Sequence, residues 1–193
     1  MKKIIMAAVM LGGITLFNNT YAQVEAVGIK GGINFANVSN FGNNTRVAGN
    51  VGFFVHAQIN KNWCVQPEIL YSAEGARFMS TNGERTLALN YVQVPVMFQY
   101  FPVKQLYLEL GPQVGLLTNA DVKNTNNGNK YSVSDGYKKG DVDLNVGIGV
   151  KATPNVGIFA RYSFGLANIS TDNNYTYHNN VGQVGAFIRF ARY

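Results

Sequence analysis

Residues 156–166 read V-G-I-F-A-R-Y-S-F-G-L, and this stretch decides the predicted fold. Its even positions are all apolar or aromatic, whereas its odd positions hold two glycines, a phenylalanine, a serine and Arg161. Successive side chains of a strand point to opposite faces. A period of two therefore predicts a β-strand with one apolar face and one face that carries Arg161. The same alternation recurs along the chain, so the fold depends on where these apolar faces can be buried.

Eight such segments are predicted as strands, and the connections between them differ in length. Those after the second, fourth and sixth strands are tight turns, and the other four are long polar loops. The predicted strands are residues 26–36, 47–59, 63–74, 87–101, 106–117, 141–151, 156–166 and 180–191. Leu89 and Tyr91 are out of phase, which predicts a bulge near Tyr91. Pro67, Pro95 and Pro112 predict further bulges, because proline cannot donate to a ladder.

The first 22 residues have the pattern of a secretory signal peptide. Lys2 and Lys3 form a positive start, residues 4–17 are mainly apolar, and Ala22 is a small residue at the expected cleavage site. Fourteen residues are too few for a transmembrane helix, which needs about 20. We therefore expect a Sec-type signal peptide at 1–22 and a single barrel domain at 23–193.

Composition argues against several classes of function. Without Lys2 and Lys3, the chain has 14 basic and 10 acidic residues, and this excess of about +4 is scattered rather than gathered into a nucleic-acid surface. Cys64 is the only cysteine, so no intramolecular disulfide can form. The aspartates of the third long loop lack the spacing of a calcium loop. We expect no nucleic-acid partner, no cofactor and no metal.

Loop lengths and strand faces together predict a membrane barrel. Outer-membrane barrels alternate short periplasmic turns with long extracellular loops, and an even strand number places both termini on the periplasmic side. In lipid, strands persist only in a closed barrel, because every backbone group must be paired. The predicted fold is all-β: an eight-stranded antiparallel up-and-down transmembrane β-barrel with its apolar faces toward lipid. The alternative is a soluble lipocalin-like barrel, whose outer face would then carry Gly and Gln with few charges.

Five short motifs follow one another at barrel spacing. They are G-I-K-G-G-I-N-F (28–35), Q-P-E-I-L-Y-S (66–72), Y-V-Q-V-P-V-M-F (91–98), L-E-L-G-P-Q-V-G (108–115) and R-Y-S-F-G-L-A-N-I (161–169). Together they resemble the small outer-membrane β-barrel proteins labelled "porin family" or "outer membrane protein beta-barrel domain", with OmpA/OmpX-type architecture. The resemblance implies a Gram-negative-type outer membrane, with membrane lipid and the barrel-assembly machinery as partners. It also implies a C-terminal aromatic assembly signal, for which Phe190 and Tyr193 are both candidates.

The inward strand faces carry ionisable residues. They are Lys30, His56, Glu68, Glu74, Glu109, Asp143, Arg161 and Arg189. An eight-stranded barrel is narrow, and buried charges persist only when they are paired. We therefore expect a barrel-interior charge network, with Arg161 paired to Glu109 or Glu68. Its members are Lys30, Glu68, Glu109, Asp143, Arg161 and Arg189. The alternative is a water-filled passage whose charges select ions.

Aromatic residues are expected to form a belt at each membrane interface. The predicted belt near the tight turns consists of Trp63, Phe98, Tyr100, Phe101 and Tyr107. The predicted belt near the long loops consists of Phe41, Tyr71, Tyr162, Phe164 and Tyr175.

No catalytic site is expected. His56 and His178 are the only histidines, and neither is predicted beside a serine or cysteine. The expected function is that of a non-enzymatic outer-membrane protein with a structural role or an interaction role of its surface loops. Two alternatives remain: a narrow passive porin for small solutes, and an adhesin or host-factor binder acting through loops 118–140 and 167–179. The sequence names no extracellular ligand.

Overall fold

The computed structural model describes residues 23–40, 44–80, 83–124, 129–172 and 174–191. The predicted signal peptide at 1–22, the candidate assembly signal Tyr193 and the predicted belt residue Phe41 lie outside these ranges. The strands are β1 (Gln23–Val38), β2 (Asn44–Gln58), β3 (Trp63–Ser80), β4 (Gly83–Val103), β5 (Leu106–Asn124), β6 (Lys130–Ser132), β7 (Gly140–Lys151), β8 (Val156–Gly165) and β9 (Asn179–Ala191). In the described ranges, no helix is long and apolar enough to cross a membrane.

Eight strands form a closed antiparallel ring. The order around it is β1, β2, β3, β4, β5, β7, β8 and β9, and β1 pairs with β9 to close it. The short strand β6 pairs with β5 and lies outside the ring. The predicted eight-stranded up-and-down barrel is confirmed. We call the end with the β2–β3, β4–β5 and β7–β8 connections the turn end, and the opposite end the loop end.

The two faces of the barrel wall differ as the alternation predicts. Apolar side chains point outward; Val27 is 50% exposed and Phe53 is 65% exposed. Charged and amide side chains at the alternating positions point inward and are buried, including Glu68 and Arg161. A soluble lipocalin-like barrel would have these faces reversed, so that alternative is wrong.

The loop after the third strand was predicted to be long, but it is short. β3 runs on to Ser80 and β4 starts at Gly83, and these two residues pair with each other. Gly75, with a φ of 122°, lies inside β3, where a Cβ would be 2.2 Å from the Leu87 carbonyl oxygen. The polar, turn-rich composition of residues 75–86 suggested a loop. The strands nevertheless continue there, because Ala76 and Leu87 are buried against partners from elsewhere in the chain.

The predicted irregularities of the strands are partly confirmed. The β4–β5 register shifts between Asn90 and Tyr91, so the predicted irregularity near Tyr91 is confirmed. The extra residue is Thr118 in β5, and β4 keeps its register with β3. The ladders keep their register across Pro67, Pro95 and Pro112, so the prediction of bulges there was wrong. A proline removes one donor from a ladder but adds no residue, and the pairing can therefore continue on both sides of it.

Candidate functional site

Four charged side chains meet halfway along the barrel interior. Lys30 comes from β1, Glu68 from β3, Glu109 from β5 and Arg161 from β8. These strands occupy every second position around the ring, and β8 lies opposite β3. We call these four residues the central charge cluster. Its two cations and two carboxylates balance.

Arg161 makes the contacts that cross the lumen. Its two terminal nitrogens donate to the two carboxylate oxygens of Glu68, each at 2.9 Å, and its Nε donates to Glu109 Oε1 at 2.8 Å. Lys30 Nζ donates to Glu68 Oε1 at 3.1 Å and lies 4.1 Å from the centre of the Phe159 ring. All four charged side chains are buried. A bidentate arginine–carboxylate pair is both directional and strong, so this geometry holds the two sides of the barrel together.

Two glutamines supply further donors to the carboxylates of the cluster. Gln66 donates to Glu68 at 2.9 Å, and Gln99 donates to Glu109 at 3.1 Å. Buried charges need such additional bonds, because each desolvated lone pair without a donor raises the free energy of the folded state. These amides hydrogen-bond to the cluster, although the sequence-based network omitted them. The sequence signal that could have identified these glutamines is their inward-facing position on the same strands as charged residues or their neighbours.

Asp143 and Arg189 lie in other layers of the interior. Asp143 is nearer the loop end and accepts a hydrogen bond of 2.7 Å from Gln113. Arg189 is nearer the turn end, 3.4 Å from His56 Nδ1 and 5.4 Å from the centre of the Phe187 ring. Within the described residues, neither forms an ion pair with the central charge cluster. The six predicted charges therefore occupy three levels of the barrel rather than one.

An aromatic cluster fills the turn end of the interior. Its buried members are Phe54, Cys64, Phe101, Tyr107, Phe159 and Phe187. Phe101 and Tyr107 were predicted to lie in an interfacial belt, but they are buried, with ring centres 5.4 Å apart. Trp63 and Tyr100 are exposed on the outer surface with rings 5.0 Å apart, in agreement with a belt there.

Glycines make room for the aromatic cluster. Four of its rings each lie directly across from a glycine of the neighbouring strand. The pairs are Gly28–Phe54, Tyr107–Gly149, Gly157–Phe187 and Phe159–Gly185. A Cβ at Gly28 would lie 2.3 Å from Phe54 Cζ and 2.4 Å from the Ile188 carbonyl oxygen. The ring can therefore lie flat against the wall only while this position lacks a side chain.

A polar layer and an apolar cap lie between the central charge cluster and the loop end. In the polar layer, Glu74 accepts hydrogen bonds from Ser72 at 2.7 Å, from Gln93 at 2.8 Å and from Asn179. The apolar cap consists of Val38, Ala76, Leu87, Leu89, Tyr91, Leu117, Ala120, Val122 and Ile169. Leu89 and Tyr91 point inward, so their unusual phase reflects this cap. Buried side chains thus project into the interior at each of these levels.

The two histidine rings contact amide, carboxylate and carbonyl oxygens. His56 is 3.2 Å from Gln66 Oε1 and 3.5 Å from Glu25, and His178 is 3.1 Å from the carbonyl oxygen of Ala167. In the described part of the chain, neither imidazole ring hydrogen-bonds to a serine or cysteine side chain. No three His, Cys, Asp or Glu residues are grouped there so as to hold a metal ion. These contacts offer no nucleophile–base pair.

Comparison with known proteins gives the same architecture. The attachment invasion locus protein Ail of Yersinia pestis, solved in complex with the heparin analogue sucrose octasulfate, is 16% identical; the match covers 87% of this chain and 100% of Ail, with a TM-score of 0.54. Neisserial surface protein A is 14% identical, with 89% and 100% covered and a TM-score of 0.56. A search of curated proteins gives no match. The profile of the family described as outer membrane protein beta-barrel domain matches residues 21–171, and the chain therefore belongs to this family of outer-membrane β-barrel proteins.

Proposed function

We propose that this protein is a sealed, non-enzymatic outer-membrane barrel that holds an ordered sheet outside the membrane for interaction. The observation that carries the proposal is the ion pair between Arg161 and Glu68, which joins opposite strands across the lumen. A water-filled pore would need this cross-section open. Opening it would separate buried charges from their partners, at a cost of several kcal/mol.

Further layers support a sealed barrel. The aromatic cluster lies on the turn-end side of the central charge cluster, and the apolar cap lies on the loop-end side. A solute would have to displace the aromatic cluster, the central charge cluster and the apolar cap. Eight strands leave an interior that side chains just fill, which also supports a structural rather than a conducting role.

The part that the barrel presents is a four-stranded sheet that continues past the ring at the loop end. It contains the loop-end parts of β3, β4 and β5 together with β6, and we call it the projecting sheet. Segment 134–139 packs beside it and is tied to the loop after β8. Lys138 N donates to the Ile169 carbonyl at 2.8 Å, and Tyr137 pairs with Ser170. These contacts support a preorganised interaction surface.

Planar-bilayer recordings test the sealed barrel. The folded protein is expected to give no defined conductance steps, because the central charge cluster and the two flanking clusters occupy the lumen. A general porin added to the same bilayers serves as the positive control, and heat modifiability on a gel confirms that the inserted protein is folded. Reproducible, charge-selective steps from the folded protein would contradict the proposal and favour the porin alternative.

We also propose that residues 1–22 are removed during export. Protein extracted from outer membranes is expected to begin at Gln23, since Ala22 is the small residue that precedes the predicted cleavage site. Intact-mass measurement of the membrane-extracted chain checks this. A mature chain that retains Lys2 and Lys3 would show that the segment is not a cleaved signal.

A further inference from the structure

The two faces of the projecting sheet differ in chemistry. On the inward face, Leu87 and Val122 lie in the apolar cap. On the outward face, one line of cross-strand partners runs over all four strands. It consists of Arg77, Thr86, Lys123 and Lys130. Neighbouring strands are about 4.8 Å apart, so three cations lie within about 15 Å on one surface. We call these four residues the basic row.

The acidic neighbours of the basic row do not neutralise it. Arg77 lies 3.8 Å from Glu84, and Lys130 lies 2.8 Å from Asp121, both on the same outward face. Lys123, between them, has no acidic partner within 4 Å among the described residues. The exposed Arg77–Glu84 pair contributes at most about 1 kcal/mol, so an incoming anion can compete with Glu84 for Arg77. Asp121 is buried, but the Lys130 ammonium is half exposed and has three donors, of which Asp121 does not use all. An incoming anion can therefore contact all three cations.

The height of the basic row above the membrane selects the kind of anion. The outward face of the projecting sheet continues the lipid-facing surface of β3, on which Tyr71 is the last large apolar residue before Arg77. Arg77 is six residues further along β3 than Tyr71. With a rise of about 3.3 Å per residue and a tilt of about 40°, this places the row about 15 Å beyond the apolar band. A phospholipid headgroup layer is only about 5–8 Å thick. A lipid neighbour that reaches the row must therefore carry a larger headgroup.

We propose that the basic row binds the phosphates of a phosphorylated saccharide headgroup, as carried by lipopolysaccharide in the same leaflet. This inference rests on the proposed function, because it requires the projecting sheet to stand outside the membrane. Arg77, Lys123 and Lys130 supply positive charge to the phosphates, and the Thr86 hydroxyl supplies a donor between them. The row faces sideways, toward neighbouring lipids, and this orientation favours a glycolipid over a soluble anion.

The test measures binding of labelled, phosphorylated lipopolysaccharide to the refolded protein in detergent. The variant R77Q/K123Q/K130Q is expected to bind about ten-fold more weakly or worse, given up to about 1 kcal/mol for each exposed charge contact. The matched control K61Q/K104Q/K139Q removes the same charge from exposed positions outside the row and is expected to bind like the wild type. Dephosphorylated lipopolysaccharide should bind the wild type as weakly as the first variant binds the phosphorylated form.

Several outcomes would overturn the inference. They are equal losses in both triple variants, undiminished binding of the dephosphorylated glycolipid, or inorganic polyphosphate competing at equal charge concentration as well as the glycolipid itself. Heat modifiability checks that each variant is folded, and the single change Lys123→Glu provides a milder variant if the triple one folds poorly. Conductance is recorded separately. A silent barrel that does not bind lipopolysaccharide refutes only this inference, whereas a conducting barrel refutes the proposed function.

Discussion

Replacing Arg161 with alanine is expected to lower the free energy of unfolding of the refolded barrel by about 3–5 kcal/mol. The change removes three hydrogen bonds to Glu68 and Glu109 and leaves two buried carboxylates with Lys30 as the one cation of the central charge cluster. Urea titration of the protein in detergent micelles or lipid vesicles, followed by tryptophan fluorescence, measures the effect. Arg77→Ala is the control, because this arginine is exposed and its ion pair of 3.8 Å should contribute less than about 1 kcal/mol.

A double variant separates charge imbalance from loss of packing. R161M/E109Q restores a neutral cluster in which Lys30 and Glu68 still pair. It should therefore be more stable than R161M alone, although it carries one more substitution. If R161M and R161M/E109Q were equally stable, or if Arg161→Ala cost no more than Arg77→Ala, the cluster would not stabilise the barrel in the way we infer.

Replacing Gly28 with alanine is expected to destabilise the barrel by about 1–3 kcal/mol, and by more if the wall cannot shift. The added methyl group would meet both the Phe54 ring and the Ile188 carbonyl oxygen, at 2.3 and 2.4 Å. The ring can turn only into the filled aromatic cluster, and the carbonyl belongs to the ladder that closes the barrel. The change in the urea midpoint, together with the yield of heat-modifiable folded protein, checks this prediction.

Gly49→Ala is the matched control for this change. Gly49 lies in the neighbouring strand, and the closest atom to a Cβ there is the Gly32 carbonyl oxygen, at 3.7 Å. This is an ordinary van der Waals distance, so the control should be neutral or slightly stabilising, since alanine has less backbone entropy to lose on folding. Equal destabilisation by both substitutions would mean that a general preference for glycine, rather than the fit of the Phe54 ring, governs Gly28.

The projecting sheet shows why part of the loop end could not be read from the sequence. Residues 75–86 are polar and rich in turn formers, and their local composition favours a loop. Their pairing is stabilised by the apolar cap, which includes Leu117 from β5 and Ile169 from the loop after β8. These partners are distant in the chain. No local pattern indicates that they cover Ala76 and Leu87, and β6 was missed for the same reason.

The central charge cluster shows how much can be predicted from the alternation of inward and outward residues alone. Period-two alternation placed Lys30, Glu68, Glu109 and Arg161 on the inward face, and the narrow lumen predicted that they would pair. Arg161 had two candidate partners and contacts both. Arg161 and Glu68 are 93 positions apart in the chain, and they meet because β8 and β3 are opposite in a ring of eight.

The sequence alone was sufficient for the barrel, its eight wall strands and the lipid-facing or lumen-facing side of most residues in the predicted strands, because strand alternation and turn chemistry are local properties. Phe101 and Tyr107 are exceptions, since they were predicted for a belt and are buried in the interior. The level that each inward residue occupies was decided by tertiary structure. Asp143 and Arg189 share the inward phase of Arg161 but lie nearer the two ends. Level depends on the register between paired strands, and register is set by the closure of the whole ring. The same closure brings the rings of the aromatic cluster over their glycines. The pairing of β6 with β5, outside the ring, adds Lys130 to the basic row.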